Sequence, residues 1–173
     1  MDALNNKGGA LSNLGRYEEA ISYIDKALAI EPRDINMLTN RGVALSILGR
    51  YEEAIKYYDK ALAIEPYHMD ALYNKGTTLS SLGRYEEAIS YYDRVLAIEP
   101  DNMGALNNKG IALADLGRHE EAIKYYDKVI EINPNLAIAL EKRDLSYKQL
   151  ENPANSTGYG KSEKSRWKRL FGK

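Results

Sequence analysis

Apolar positions along the first 136 residues recur at helical spacing, and nothing alternates with the period of two that a half-buried strand requires. From Asp2 to Leu14, the residues Leu4, Gly8, Leu11 and Leu14 fall on one helical face. Gly15-Arg16 then breaks the pattern, with glycine where a helix end favours a left-handed residue. A second helix, predicted from about Tyr17 to Glu31, opens on Glu18-Glu19, whose charge suits the positive end of the helix dipole. It offers Ala20, Ile24, Ala27 and Leu28 for burial, and Pro32 stops it.

The pattern repeats at a fixed interval. The string from Leu14 to Ile21 returns from Leu48 to Ile55, from Leu82 to Ile89 and, with His119 in place of tyrosine, from Leu116 to Ile123, a step of 34 each time. Pro32, Pro66, Pro100 and Pro134 close each copy. A period of this length is that of a helix–turn–helix unit that buries its apolar face only by stacking on neighbours. Four units result, 1–34, 35–68, 69–102 and 103–136. Small residues recur where the two helices of a unit must cross closely: Gly8 with Ala20, Gly42 with Ala54, Gly76 with Ala88, Gly110 with Ala122. One further helix is predicted from about Ala137 to Leu150, a capping helix over 137–151 with Leu140, Tyr147 and Leu150 on its packing face. There Asp144 takes the glycine's place, and Glu141, Lys142, Arg143, Asp144 and Lys148 are left to face water, the polar end an open stack needs.

These residues resemble the tetratricopeptide repeat family, whose pattern is W-x2-L-G-x2-Y, then A-x3-F, then P. The matching positions read Leu4, Lys7, Gly8, Leu11, Ala20, Ile24 and Pro32, and the later units follow with Gly42, Tyr58 and Pro66, with Gly76, Tyr92 and Pro100, and with Gly110, Tyr126 and Pro134. One departure is systematic: Lys7, Arg41, Lys75 and Lys109 stand where the family usually has leucine. The resemblance implies an all-α, right-handed superhelical solenoid whose first helices line a concave groove that binds a peptide or helix of a partner. Carried over position by position, the lining is Asn5, Asn6, Thr39, Asn40, Val43, Tyr73, Asn74, Thr77, Asn107, Asn108 and Ile111, with Ala114 and Asp115 further along the same face.

Within that lining, Asn6, Asn40, Asn74 and Asn108 form a ladder of amides able both to donate to and to accept from a peptide backbone; the competing reading has them bonding a neighbouring helix. Asn40 and Asn74 match the asparagines of the clamp with which some family members grip a C-terminal carboxylate. Asn5, Thr39 and Tyr73 stand where that clamp wants lysine, so an acidic tail is disfavoured as the guest. Tyr73 has no counterpart in the other units and is taken as a ligand contact. The row Lys7, Arg41, Lys75, Lys109 and Arg143 is read as laying its stems on the preceding unit and pairing with its acids, against the alternative of a basic rail beside the groove. Of the pairs Tyr57-Tyr58, Tyr91-Tyr92 and Tyr125-Tyr126, one member each is expected in the core.

Composition removes most other functions. There is no cysteine, and the histidines are only His68, read as part of a turn, and His119, so no metal, cofactor or catalytic residue is expected. Gly160-Lys161-Ser162 lacks both the preceding strand and the earlier glycine of a phosphate-binding loop. Carboxylate pairs such as Glu52-Glu53 recur in every unit, as helix-start electrostatics would and an active site would not. The net charge of −1 argues against nucleic acid as a partner, but it conceals an asymmetry. Residues 1–136 carry 15 basic against 21 acidic residues, a net of −6, and residues 137–173 carry 9 against 4, a net of +5. The excess sits in a Ser-, Gly- and Asn-rich linker and basic tail, 152–173, where Trp167, Leu170 and Phe171 would share one face of a helix. Three readings of that tail stay open: a disordered solubilising end, a short helix docked on a protein surface, or a contact with nucleic acid or an anionic membrane, weak in the membrane's case. With neither a signal peptide nor a membrane-length apolar run, the expected setting is cytoplasmic. The function expected is a protein-interaction scaffold or adaptor; the alternatives are a self-associating module joined through its first repeat and tail, or the recognition arm of a larger enzyme.

Overall fold

The computed structural model describes residues 2–152, apart from the side chains of Asp2, Ala3, Asn5 and Asn6. Among them run nine helices and no strand: α1 (Asp2–Asn13), α2 (Tyr17–Ile30), α3 (Ile35–Ile47), α4 (Tyr51–Ile64), α5 (Met69–Ser81), α6 (Tyr85–Ile98), α7 (Met103–Asp115), α8 (His119–Ile132) and α9 (Ala137–Glu151). The repeat step is therefore a pair of helices, as its period predicts, and the fold is an all-α repeat. Packing divides the chain into two compact units, Met1–Ala105 and Leu106–Lys173.

Two local devices set the boundaries. At each odd-to-even junction a glycine takes a left-handed backbone, as Gly49 does at φ +75°, and the amide behind it reaches back to close the helix end, Arg50 N donating to Leu45 O at 2.9 Å. At the first three even-to-odd junctions a side chain caps the next helix, whereas Leu136 before α9 offers none. Asp34 Oδ1 accepts from Met37 N at 2.9 Å, His68 Nδ1 from Ala71 N at 3.3 Å and Asn102 Oδ1 from Ala105 N at 2.9 Å. His68 is thus a helix cap.

Across each helix pair the glycine accepts a large partner. Tyr58, Tyr92 and Tyr126 are at most 1% exposed, and their rings lie against Gly42, Gly76 and Gly110. In the first pair Ile24 does the same against Gly8. One tyrosine of each pair is therefore core, as expected, and Ala20, Ile24 and Ala27 are buried with it.

Two expectations about packing faces fail. Leu14 is 71% exposed, because α1 ends at Asn13 and the turn at Gly15 swings the chain away from the face carrying Leu11. In α9 the buried residues are Ala139 and Ser146, while Tyr147 is 46% exposed and Leu140 and Leu150 are only partly covered. The repeat register explains this: Ala139 and Ser146 match Ala71 and Thr78, whereas Tyr147 and Asp144 match Leu79 and Gly76, which meet the second helix of their own pair. Nothing follows α9 among the described residues to meet them. Ile138 and Leu145 are exposed too, so this end is only partly the polar cap expected.

Within the Met1–Ala105 unit the first helices touch one another, α1 with α3 and α3 with α5, whereas the second helices show no comparable contact. That places α1, α3 and α5 on the inner side of the unit's bend. The hydrogen bond between Ser46 Oγ and Thr78 Oγ1, 3.0 Å, ties α3 to α5 along that side.

Candidate functional site

The first-helix residues singled out in the sequence occupy varied surroundings. On α3, Thr39 is buried with its hydroxyl unpaired, Asn40 is exposed and Val43 is half-buried. On α5, Tyr73, Asn74 and Thr77 are half-buried. Asn74 Nδ2 donates to Asp70 O at 2.8 Å and Thr77 Oγ1 to Tyr73 O at 3.1 Å, so part of their hydrogen-bonding capacity is spent within the helix. Tyr73 has local partners as well: its ring lies 6.3 Å from that of Tyr92, and its hydroxyl stands where a Cβ on Gly104 would come within 3.0 Å. Gly104 is the only glycine at its repeat position and Tyr73 the only tyrosine at its own, so the two departures are matched.

In the Leu106–Lys173 unit, Asn107, Asn108 and Ile111 are half-buried; Asn107 Nδ2 donates to Asn108 Oδ1 at 3.4 Å, while Asn107 Oδ1 is buried without a partner. Asn5 and Asn6 lie on α1 with side chains outside the described set, and Trp167, Leu170 and Phe171 lie outside the described residues.

The basic row is not a free rail. Arg41 grips Asp25 of the preceding repeat, Nη2 donating to Oδ2 at 2.9 Å and Nε making a 2.7 Å ion contact too bent to count as a hydrogen bond. Lys75 Nζ donates to Asp59 Oδ1 and, at 2.6 Å, to the Tyr91 hydroxyl, and Arg143 pairs with Asp127 at 3.3 Å. Four of the row also cover a tyrosine ring of their own repeat, Lys7 over Tyr23 at 4.5 Å, Arg41 over Tyr57 at 4.1 Å, Lys75 over Tyr91 and Lys109 over Tyr125 at 4.4 Å each. Within the Met1–Ala105 unit an acid sixteen residues back, a cation and a tyrosine sixteen residues on, Asp25–Arg41–Tyr57 and Asp59–Lys75–Tyr91, thus interlock successive repeats. The sequence carried the signal, since Asp25, Asp59, Asp93 and Asp127 recur on the repeat step.

The carboxylate pairs are structural too. Glu19, Glu53, Glu87 and Glu121 are each gripped by the arginine three residues earlier, Arg16 Nε to Glu19 Oε1 at 2.6 Å for example, and the hydrogen bond holds these carboxyls below their ordinary value. Among the described residues no group of three or more His, Cys, Asp or Glu could hold a metal, and no helix is long and apolar enough to cross a membrane.

A feature the sequence reading missed lies between α7, α8 and α9, a cavity of about 160 Å³. Tyr126 and Ser146, both buried, meet it, as do Ala114 and His119; Asp115, Lys142, Leu145 and Gln149 stand around it. The Tyr126 hydroxyl and His119 Nδ1 are buried without a hydrogen-bond partner. Loss of water pushes the Asp115 carboxyl up, against the pull of Lys142 and His119, and pushes the His119 imidazole down despite Asp115.

Three tetratricopeptide repeat family models match the chain, over residues 2–34, 33–100 and 73–137. Solved structures share the fold. MamA is 24% identical at a TM-score of 0.78, the match covering 83% of this chain and 84% of that one. A tetratricopeptide repeat protein from Parabacteroides merdae is 25% identical at 0.79, over 87% of this chain and 60% of that one. YrrB, described as a TPR protein with an unusual peptide-binding site, is 27% identical at 0.73, over 85% and 76%. No curated protein matches. Matched throughout 2–137 and built from helix pairs on the family's period, the chain belongs to the tetratricopeptide repeat family.

Proposed function

We propose that the chain is a protein-interaction scaffold, without catalysis of its own, that holds an extended segment of a partner polypeptide against its first helices. The observation that carries the reading is the contact of α1, α3 and α5 along one side of the Met1–Ala105 unit, where Asn40 is exposed and Tyr73, Asn74 and Thr77 are partly so. Amides and hydroxyls at that spacing suit a peptide backbone, which offers donors and acceptors in alternation. A half-exposed tyrosine adds apolar area at little entropic cost. The peptide-binding description of YrrB lends the reading support. By contrast, the acids Asp25, Asp59, Glu19, Glu53, Glu87 and Glu121 of the second helices are committed to cations of the first helices and of the turns.

The test is selection from a displayed random-peptide library on the intact chain, repeated with Asn40, Tyr73 and Asn74 changed to alanine. The expected result is enrichment of a common sequence pattern by the natural chain and loss of at least tenfold in affinity in the triple variant, with its helical signal and melting unchanged. Equal affinity in the variant overturns the assignment of this face.

A further inference from the structure

The cavity between α7, α8 and α9 arises where this stretch departs from its own repeat. In the second repeat the Tyr58 hydroxyl bonds Thr78, and Thr78 Oγ1 in turn meets Ser46 Oγ at 3.0 Å. Two repeats further on, Tyr126 keeps the tyrosine, but Ser146 replaces Thr78, Ala114 replaces Ser46 and His119 replaces Tyr51. All three replacements are smaller, and the space they leave is the cavity of about 160 Å³. A volume of that order holds several water-sized groups. Into it the chain buries the unpaired Tyr126 hydroxyl, whose residue is fully buried, and the unpaired His119 Nδ1.

The chemistry of the lining restricts the guest. Asp115 and Lys142 oppose one another in charge, and burial disfavours the charged form of the His119 imidazole. Asp115 and Lys142 offset one another, so the lining offers neither a carboxylate nor an ammonium a net charge to repay its loss of water, and a hydrocarbon would leave Tyr126 and His119 unpaired. An uncharged group that donates and accepts at once meets each of these demands, and a primary carboxamide is such a group.

We propose that this cavity is a subsite for the carboxamide of an asparagine or glutamine side chain of a bound polypeptide, held by Tyr126 and His119 and flanked by Asp115 and Lys142. The proposal rests on the reading of the first-helix faces as a peptide-holding surface, since Ile111 and Asp115 belong to that face of α7 and also line the cavity.

The experiment titrates the isotopically labelled full chain with acetamide, acetate and ethylammonium in turn, following the Ser146 and Gln149 amides and the His119 ring by NMR. Acetamide is expected to give saturable shifts, with a dissociation constant on the order of 10 mM for so small a probe. Acetate and ethylammonium should bind at least about tenfold more weakly, and Tyr126→Phe, which preserves the ring, should weaken acetamide about tenfold. Ala114→Leu, which fills the cavity, should abolish the response. No saturable response to acetamide, an equal response to acetate, or unchanged binding by Tyr126→Phe each overturns the proposal. The titration contains no peptide, so its failure is distinct from a failed library selection.

Discussion

A methyl group added at Gly42 would lie 2.5 Å from Cε1 of Tyr58, a ring that is 1% exposed and has nowhere to move. Gly42→Ala should therefore cost about 1–3 kcal/mol through overpacking, although alanine favours a helix. Gly9→Ala is the contrast, because a Cβ there meets nothing within 4 Å; it should gain about 0.5–1 kcal/mol. Urea denaturation of both variants reads the difference. The need for glycine at these positions is legible in the sequence, since small residues recur on the repeat step. The cavity beside Tyr126 is not, because it follows from three separate reductions in size on three helices. His119 also gives a pH signature. Its pKa is lowered from 6.5, so between the lowered value and 6.5 the unfolded chain binds a proton that the folded chain does not. Stability from this group therefore rises with pH across that window and is lost as pH falls through it. Asp115, raised from 3.8, acts with the opposite sign in a lower window, where stability falls as pH rises. His119→Tyr, the residue at Tyr17, Tyr51 and Tyr85, removes only the first slope. The melting temperature of the natural chain should gain on that of the variant as pH rises toward 6.5 from below; parallel curves would contradict this.

At the scale of the element, one cation links three helices. Lys75 on α5 is 7% exposed, bonds Asp59 on α4 and covers Tyr91 on α6. The long stem contributes burial and the head contributes pairing, and the two separate by substitution. Lys75→Met keeps the stem and should stay within about 1 kcal/mol of the natural chain, since the Asp59 carboxylate it leaves behind is exposed to water and pairs with so exposed a partner contribute little. Lys75→Ala removes stem and head and should cost about 1–3 kcal/mol. A larger loss in the methionine variant, measured by thermal denaturation at low and high salt, would mean that the charge rather than the stem holds the helices. Helix boundaries were legible almost residue by residue, because glycine and proline punctuate every pair. The packing face of α9 was not. Its sequence reads like another first helix, and only the absence of a following partner among the described residues turns Tyr147 outward.

At the scale of the whole molecule, repetition states how the chain folds far more clearly than what it binds. Positions that recur, such as Ala54, Ala88 and Ala122 or Asp25, Asp59 and Asp127, are those committed to stacking. Positions that vary, such as Thr39, Tyr73 and Asn107, are released from that duty, yet variation alone does not name a ligand. Tyr73 illustrates the difficulty, since its uniqueness is matched by that of Gly104 beneath it. Hydrogen exchange with and without a library-selected peptide addresses the central claim directly. The account predicts slowed exchange along α3 (Ile35–Ile47) and α5 (Met69–Ser81), with α4 (Tyr51–Ile64) and α6 (Tyr85–Ile98) little changed. Protection confined to α4 and α6 would place the guest on the opposite side and contradict it.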